Sequence, residues 1–175
     1  MKRGEGQRGG PIRICFVCLG NICRSPTAEA VMKHLVREAG LDAQLHIESA
    51  GTGDWHVGEP RDRRSRATGA ARGVPLTGVA QLFTADDFAR FDHVVALDRS
   101  NLSNLRDMAP DATARAKISL LRSYEQGAAE GADVPEGADV PDPYYGGARG
   151  FEDVFDICQA ACAGFLDWLR REHAL

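Results

Sequence analysis

The sequence predicts an α/β protein: a single-domain, three-layer fold with a central, mostly four-stranded parallel sheet and helices on both faces. Three observations lead there. Short β-branched or aromatic runs alternate with longer stretches of helical periodicity, the pattern of strand–helix–strand units with right-handed crossovers. The chain has 175 residues, enough to bury one core without disulfides or a structural metal. Its 43% apolar and 26% charged residues match a globular protein and exclude disordered, collagenous and disulfide-scaffold classes.

The elements follow in chain order. Residues 1–11 (MKRGEGQRGGP) are glycine-rich with no large apolar side chain but Met1, and are expected to form a disordered tail before a domain over 12–175. Ile12 to Val17 (IRICFV) reads as a strand, followed by a loop and then a helix whose apolar positions include Ala30, Val31 and Leu35. Ser25 suits its N-cap, Pro26 its first helical position, where a missing N–H costs nothing, and Gly40 its C-terminal stop. Further strands are expected at Leu45 to Ala50, His93 to Leu97 and Ala116 to Leu121. Helices are expected at about Asp62 to Arg72, Thr84 to Phe91, Ser100 to Met108 and Phe151 to Arg171. The hexapeptide EGADVP occurs twice, over 130–135 and 136–141, and predicts an exposed acidic loop inserted at about 127–141.

Charge and cysteine content narrow the function. Twenty-five acids against 21 bases give a net charge of −4, which predicts no nucleic-acid partner and requires any anionic ligand to be attracted locally. The apolar run Ile14 to Leu19 is far shorter than the roughly 20 residues of a membrane span, so no membrane insertion is expected. The five cysteines have no metal-ligand spacing and read as reduced thiols, which predicts a cytoplasmic protein. The histidines (His34, His46, His56, His93, His173) are scattered, and neither metal nor cofactor is predicted.

The loop after the first strand carries the chemistry. Cys18-Leu19-Gly20-Asn21-Ile22-Cys23-Arg24-Ser25 joins a strand to a helix N-terminus. Such a loop can turn successive backbone N–H groups toward one point, and the helix dipole adds about half a positive charge there, so a tetrahedral oxyanion is held without a lysine. The same field favours a thiolate, which makes Cys18 a nucleophile poised under a bound phosphate. Arg24 offers a planar two-pronged donor matched to phosphate oxygens, and Ser25 can donate a hydroxyl proton to the departing thiolate. A buried structural cysteine beside a capping serine is the bland alternative. It does not account for Gly20, Asn21, Ser25 and Pro26 in the same strand–loop–helix context. A nucleotide-binding loop would end in Gly-Lys-Ser/Thr, which is missing.

VCLGNICRSPTAEA resembles the active-site signature of low-molecular-weight protein tyrosine phosphatases. SAGT (49–52), DWHVG (54–58), DDFARFDHVVALDRSNL (86–102) and DPYYGG (142–147) resemble further family blocks in the expected order. The resemblance implies hydrolysis of phosphotyrosine in proteins through a cysteinyl phosphate, releasing inorganic phosphate without a cofactor. It places the general acid on Asp142, whose carboxyl would protonate a phenolate leaving group with a pKa near 10. It places Trp55, Tyr144 and Tyr145 as aromatic walls, Leu19 and Ile22 as apolar floor, and Asn21 with Ser49 as a polar network shaping the loop. Ile22 also favours tyrosine, because related arginine-phosphate phosphatases carry threonine there. Cys23 is paired by the resemblance with Cys18 as a redox partner. The chain departs from the family at Gly78, where a histidine is common, and at Gln81, often an arginine, so the loop is expected to hold fewer hydrogen bonds. Two other functions fit the same scaffold. An arsenate reductase would need Cys158 and Cys162 as its resolving pair, although their spacing reads as helix core. A non-catalytic phosphotyrosine-binding module would not need both Cys18 and Asp142.

Overall fold

The computed structural model describes residues 9–125 and 137–175; most of the expected tail and the first EGADVP copy lie outside them. Strands β1 (Ile12–Cys18), β2 (Leu45–Gly51), β3 (His93–Ala96) and β4 (Ile118–Leu120) form one parallel sheet in the order β2-β1-β3-β4. β1 pairs along its whole length with β2, from Ile12 opposite Leu45 to Cys18 opposite Gly51, and on its other edge with β3. The helices are α1 (Arg24–Glu38), α2 (Arg63–Ala71), α3 (Arg99–Met108), α4 (Ala112–Ala116) and α5 (Arg149–His173).

Strand alternation sorts the core into two layers. Ile14, Phe16 and Cys18 face a cluster built with Val31, Met32 and Val36 of α1 and Phe155, Cys158, Cys162 and Phe165 of α5. Cys15 and Val17 face the opposite layer, with Phe83, Phe88, Phe91, Leu102 and Leu105. Phe16 meets Phe165 edge-on at 6.0 Å, and burying each ring contributes about 2–3 kcal/mol. Helices on both faces of a four-stranded parallel sheet are the predicted class.

Strand order reverses at β1, whose neighbours β2 and β3 are reached by crossovers to either side. Crevices for ligands open at the carboxyl ends of strands at such a point. Here those ends deliver Cys18 from β1, Gly51 from β2 and the Leu97–Asp98 segment after β3.

Three local expectations differ. Ser25 is not the N-cap and Pro26 is not the first helical residue: α1 begins at Arg24, which puts Pro26 third, still within the first turn. Cys23 takes the cap position, no side chain caps it, and the Ser25 hydroxyl is engaged with Cys18 and Ala50 instead. The helix expected over 84–91 is a short 3₁₀ turn, Ala85–Ala89, closed by a Thr84–Asp87 capping box. The described part of the duplicated loop is not an exposed acidic segment. Ala138 and Val140 are buried, Val140 N–H donates to the Leu97 carbonyl at 2.9 Å, and Asp139 pairs with Arg99. Its apolar residues alternate, as in a half-buried extended strand, and that pattern outweighs the net acidity. Glu130, Asp133 and Glu136 lie outside the described residues.

Candidate active site

β1 ends at Cys18 and α1 starts at Arg24, so residues 19–23 turn the chain from strand to helix. The end of β2 closes this loop from the side. Thr52 N–H donates to the Cys18 carbonyl and Gly53 N–H to the Leu19 carbonyl, both at 2.9 Å. A Cβ at Gly51 would stand 2.6 Å from the Leu19 oxygen, so only glycine allows this approach. Asn21 takes a left-handed conformation (φ 56°), which asparagine tolerates better than most residues.

Cys18 Sγ is the focus of the loop. It lies 2.9 Å from Ser25 Oγ and accepts the Asn21 N–H at 3.3 Å. Asn21 is buried, and its Nδ2 donates to Ser25 Oγ (2.8 Å) and Ser49 Oγ (2.9 Å). The Oδ1 of Asn21 accepts from Gln81 N–H (2.9 Å), a backbone contact that does not need the arginine common at that position.

Arg24 is buried at the start of α1. Its Nη1 donates to Asp98 Oδ2 and to the Val140 carbonyl at 3.1 Å, while Nη2 stands 3.7 Å from Asp142. Burial disfavours the guanidinium charge, but the neighbouring Cys18, the Asp98 hydrogen bond and the charges of Asp98 and Asp142 outweigh it and raise its proton affinity above the ordinary arginine value. Asp98 also caps α3 by accepting from Asn101 N–H at 2.7 Å, so one carboxylate orients both the helix and the arginine.

The cleft over Cys18 encloses about 330 Å³ and is lined by Cys18 to Arg24, Trp55, His56, Asp142, Tyr144 and Tyr145. Asp142 Oδ1 accepts from Tyr144 N–H at 3.0 Å, which directs the carboxyl while leaving it half exposed. Trp55, Tyr144 and Tyr145 all reach the cleft from its exposed rim, Tyr145 being 95% exposed. Leu19, expected in the floor, is itself 40% exposed and belongs to the rim; Ile22 is buried with Cys23, Ala80 and Phe151. Cys23 sits behind the loop, where burial and the charge of Asp62 push its thiol up to about 12 against a weaker pull from Ser65.

The site residues expected from sequence line one cleft, except Ser25 and Ser49, which are buried behind the loop and hydrogen-bond to Asn21. Sequence reasoning missed four groups: Asp98, the Val140 carbonyl, His56 and Arg61. Asp98 carried a signal, an acidic N-cap directly after a predicted strand. Arg61 carried none, being one of four arginines in RDRRSR; it is buried and donates to Asn21, Glu29, Ser49 and Thr77. Beside Gly78, where fewer loop hydrogen bonds are expected, Arg61 donates to the Asn21 carbonyl and Oδ1 and to Ser49 Oγ.

The model for low molecular weight phosphotyrosine protein phosphatases matches residues 13–175. The chain belongs to this family. A low molecular weight protein-tyrosine-phosphatase of Streptomyces coelicolor is 48% identical over 160 residues, covering 91% of this chain and 94% of that protein. Among solved structures, a protein tyrosine phosphatase of Entamoeba histolytica with Hepes in its active site superposes with a TM-score of 0.84 at 36% identity, covering 94% of this chain and 99% of that one. A Drosophila arginine phosphatase superposes with a TM-score of 0.79 at 32% identity, covering 91% of this chain and 98% of that one. In this member of the family a thiol, a buried arginine and a carboxyl line one cleft, with the Ser25 hydroxyl 2.9 Å from the thiol behind it.

Proposed function

We propose that this chain hydrolyses phosphotyrosine in proteins, with Cys18 as nucleophile, Arg24 as phosphate ligand and Asp142 as general acid and then base. The observation that carries the reading is Cys18 Sγ held between the Ser25 hydroxyl and the Asn21 N–H, with Arg24 anchored beside it by Asp98. In the first step the thiolate attacks phosphorus, the S–P bond forms and the P–O bond to the phenol breaks. Asp142 gives its proton to the departing oxygen. A dianion seated on Arg24 competes with Asp142 for the guanidinium, whose Nη2 stands 3.7 Å from the carboxyl. In the second step water attacks phosphorus, Asp142 takes its proton, and inorganic phosphate and the Cys18 thiolate depart. Ser25 and Asn21 stabilise the returning sulfur charge.

The remaining residues set substrate shape. Backbone groups of Leu19, Gly20, Asn21, Ile22 and Cys23 cradle the phosphate, and Trp55, Tyr144 and Tyr145 flank a phenolic ring. Ile22 supports tyrosine over arginine phosphate, because the resemblance gives arginine-phosphate phosphatases a threonine at that position. Arsenate reduction is disfavoured because Cys158 and Cys162 are fully buried in α5 and burial holds both thiols protonated. A mere binding module would not need Asp142 placed beside Arg24. Cys18 also demands a reducing compartment, which favours the cytoplasm, and no helix among the described residues is long and apolar enough to cross a membrane.

Turnover of an aryl phosphate and of phosphotyrosine, phosphoserine and phosphoarginine peptides tests the reading. Wild type should prefer phosphotyrosine, and Cys18→Ser should lose turnover while still binding phosphate. Substantial turnover by that variant would remove the covalent mechanism, and a preference for phosphoarginine would overturn the substrate class.

A further inference from the structure

We propose that Arg61 is a positioning residue for phosphoryl transfer, its guanidinium holding Asn21, and through Asn21 the donors on Cys18, from the space that Gly78 leaves open. The proposal rests on the cysteine-phosphatase reading and deepens it.

All five N–H donors of Arg61 are placed. Nη1 donates to the Asn21 backbone carbonyl and to Asn21 Oδ1, each at 2.8 Å. Nη2 donates to Glu29 Oε2 at 3.2 Å and to Ser49 Oγ at 3.4 Å, and Nε to the Thr77 carbonyl at 3.0 Å. Two of these bonds grip the residue that carries the loop's left-handed turn and whose own N–H reaches Cys18 Sγ. A third ties the guanidinium to the turn at Thr77–Gly78.

Asn21 is saturated only with Arg61 present. Its Oδ1 accepts from Arg61 and Gln81, and its Nδ2 donates to Ser25 and Ser49. Ser49 can receive that bond because its hydroxyl proton goes to Glu29 Oε2 at 2.6 Å. The orientation of the Asn21 amide is thereby set, and with it the donor that meets Ser25 beneath the nucleophile.

Gly78 lies against the guanidinium. Its φ of 83° suits glycine, and an added Cβ would lie 3.5 Å from Arg61 Nη2, so any longer side chain aimed that way would compete for the same volume. Arg61 and Gly78 thus meet, an arginine from the segment before α2 lying against the position at which the family resemblance places a histidine. The exchange has a chemical consequence. A histidine changes charge near neutral pH, whereas a guanidinium does not, so the support beneath Cys18 keeps its donors and its charge across the working range.

A structural ion pair with Glu29 is the competing account, and lysine separates the two. Arg61→Lys keeps a cation beside Glu29 but cannot span the two Asn21 oxygens and Thr77, whereas Arg61→Met removes both charge and fork. For each variant, kcat and KM on an aryl phosphate, the rate of Cys18 alkylation by iodoacetate at pH 6, and Tm are measured. Loss of hydrogen bonds to a loop that must hold its geometry should lower kcat about ten- to a hundredfold with KM changed less than about threefold, in both variants. Alkylation should slow at least about threefold in Arg61→Met, as the donors that stabilise the thiolate lose their orientation. Full restoration of kcat and alkylation by lysine would overturn the proposal, as would wild-type values in a folded Arg61→Met. Should Arg61→Met fail to fold, Arg61→Lys alone decides. Failure of the phosphatase reading is told apart by the wild type, which would then neither turn over aryl phosphate nor be protected by inorganic phosphate from alkylation.

Discussion

Replacing Asp98 by asparagine separates two tasks that one carboxylate performs. Oδ1 caps α3 through Asn101 N–H, and Oδ2 accepts from Arg24 Nη1. Asparagine keeps an oxygen for the cap and turns its NH₂ toward the guanidinium, so donor meets donor where an ion pair stood. Arg24 then retains only the Val140 carbonyl and the more distant Asp142, which it would draw out of position. Losing a hydrogen bond between charged partners in a buried site costs about 1.5–3 kcal/mol, or roughly 10- to 150-fold in rate or affinity. The expected outcome is a fall of that size in kcat/KM on an aryl phosphate, with a matching weakening of inhibition by inorganic phosphate. Asp98→Ala should show the same catalytic loss and a further drop of about 2–4 °C in Tm, because removing the cap costs about 1 kcal/mol. A folded Asp98→Asn with kcat/KM within twofold of wild type would mean that the loop alone orients Arg24, and the argument would fail.

Asp142→Asn should slow phenyl-type esters by about 10²–10⁴-fold and esters of more acidic phenols less, and equal losses on both would remove the acid role. Peroxide oxidation of Cys18 followed by capture as a Cys18–Cys23 disulfide should accelerate about tenfold per pH unit near neutrality, because attack needs the Cys23 thiolate and its pKa is about 12. Mass spectrometry of quenched samples measures it; a pH-independent yield, or equal dithiol recovery in Cys23→Ser, would exclude Cys23 as the resolving thiol. His93 packs against Trp168 and His173, and burial with the His173 charge lowers its pKa to about 4, while Asp92 opposes and Lys117 reinforces the shift. The native state thus holds His93 neutral while the unfolded chain protonates near pH 6.5. Stability from this site is complete above that pH and is lost as pH falls toward 4, by an amount on the order of 2–3 kcal/mol. Melting at pH 7 and pH 5 should show a smaller acid-induced drop in His93→Phe than in wild type, and identical drops would refute the assignment.

The strands, α1, α3 and α5 were legible in sequence because apolar periodicity and end signals agreed, as at Asp62, which does cap α2 through Arg64 and Ser65 N–H. The loop from Cys18 to Ser25 was equally legible, since its chemistry depends on contiguous residues. Residues acting across the fold were harder to read. Asp98 and Arg24 are 74 positions apart, and Arg61 and Asn21 are 40 apart. Local spacing carries no trace of such pairs, and an arginine that saturates a buried amide looks in sequence like its exposed neighbours. Ser25 was misread for a related reason: its type fits a cap, but a nearby thiol competes for the same hydroxyl.

The duplicated hexapeptide makes the same point more sharply, because composition and pattern are identical in its two copies. What distinguishes the second copy is its attachment to Asp142-Pro143. Pro143 is buried and disfavours helical backbone at Asp142, so the chain entering it is extended. Extension lets Val140 use its N–H on Leu97, continuing past the end of β3, and its carbonyl on Arg24. Asp139, one residue earlier, points the other way and meets Arg99 N–H at 2.8 Å, where contact with the first residue of α3 holds its carboxyl below the usual aspartate range despite the cost of partial burial. Residues that read as solvated acid thus clamp the segment carrying Asp142 to the segment anchoring Arg24.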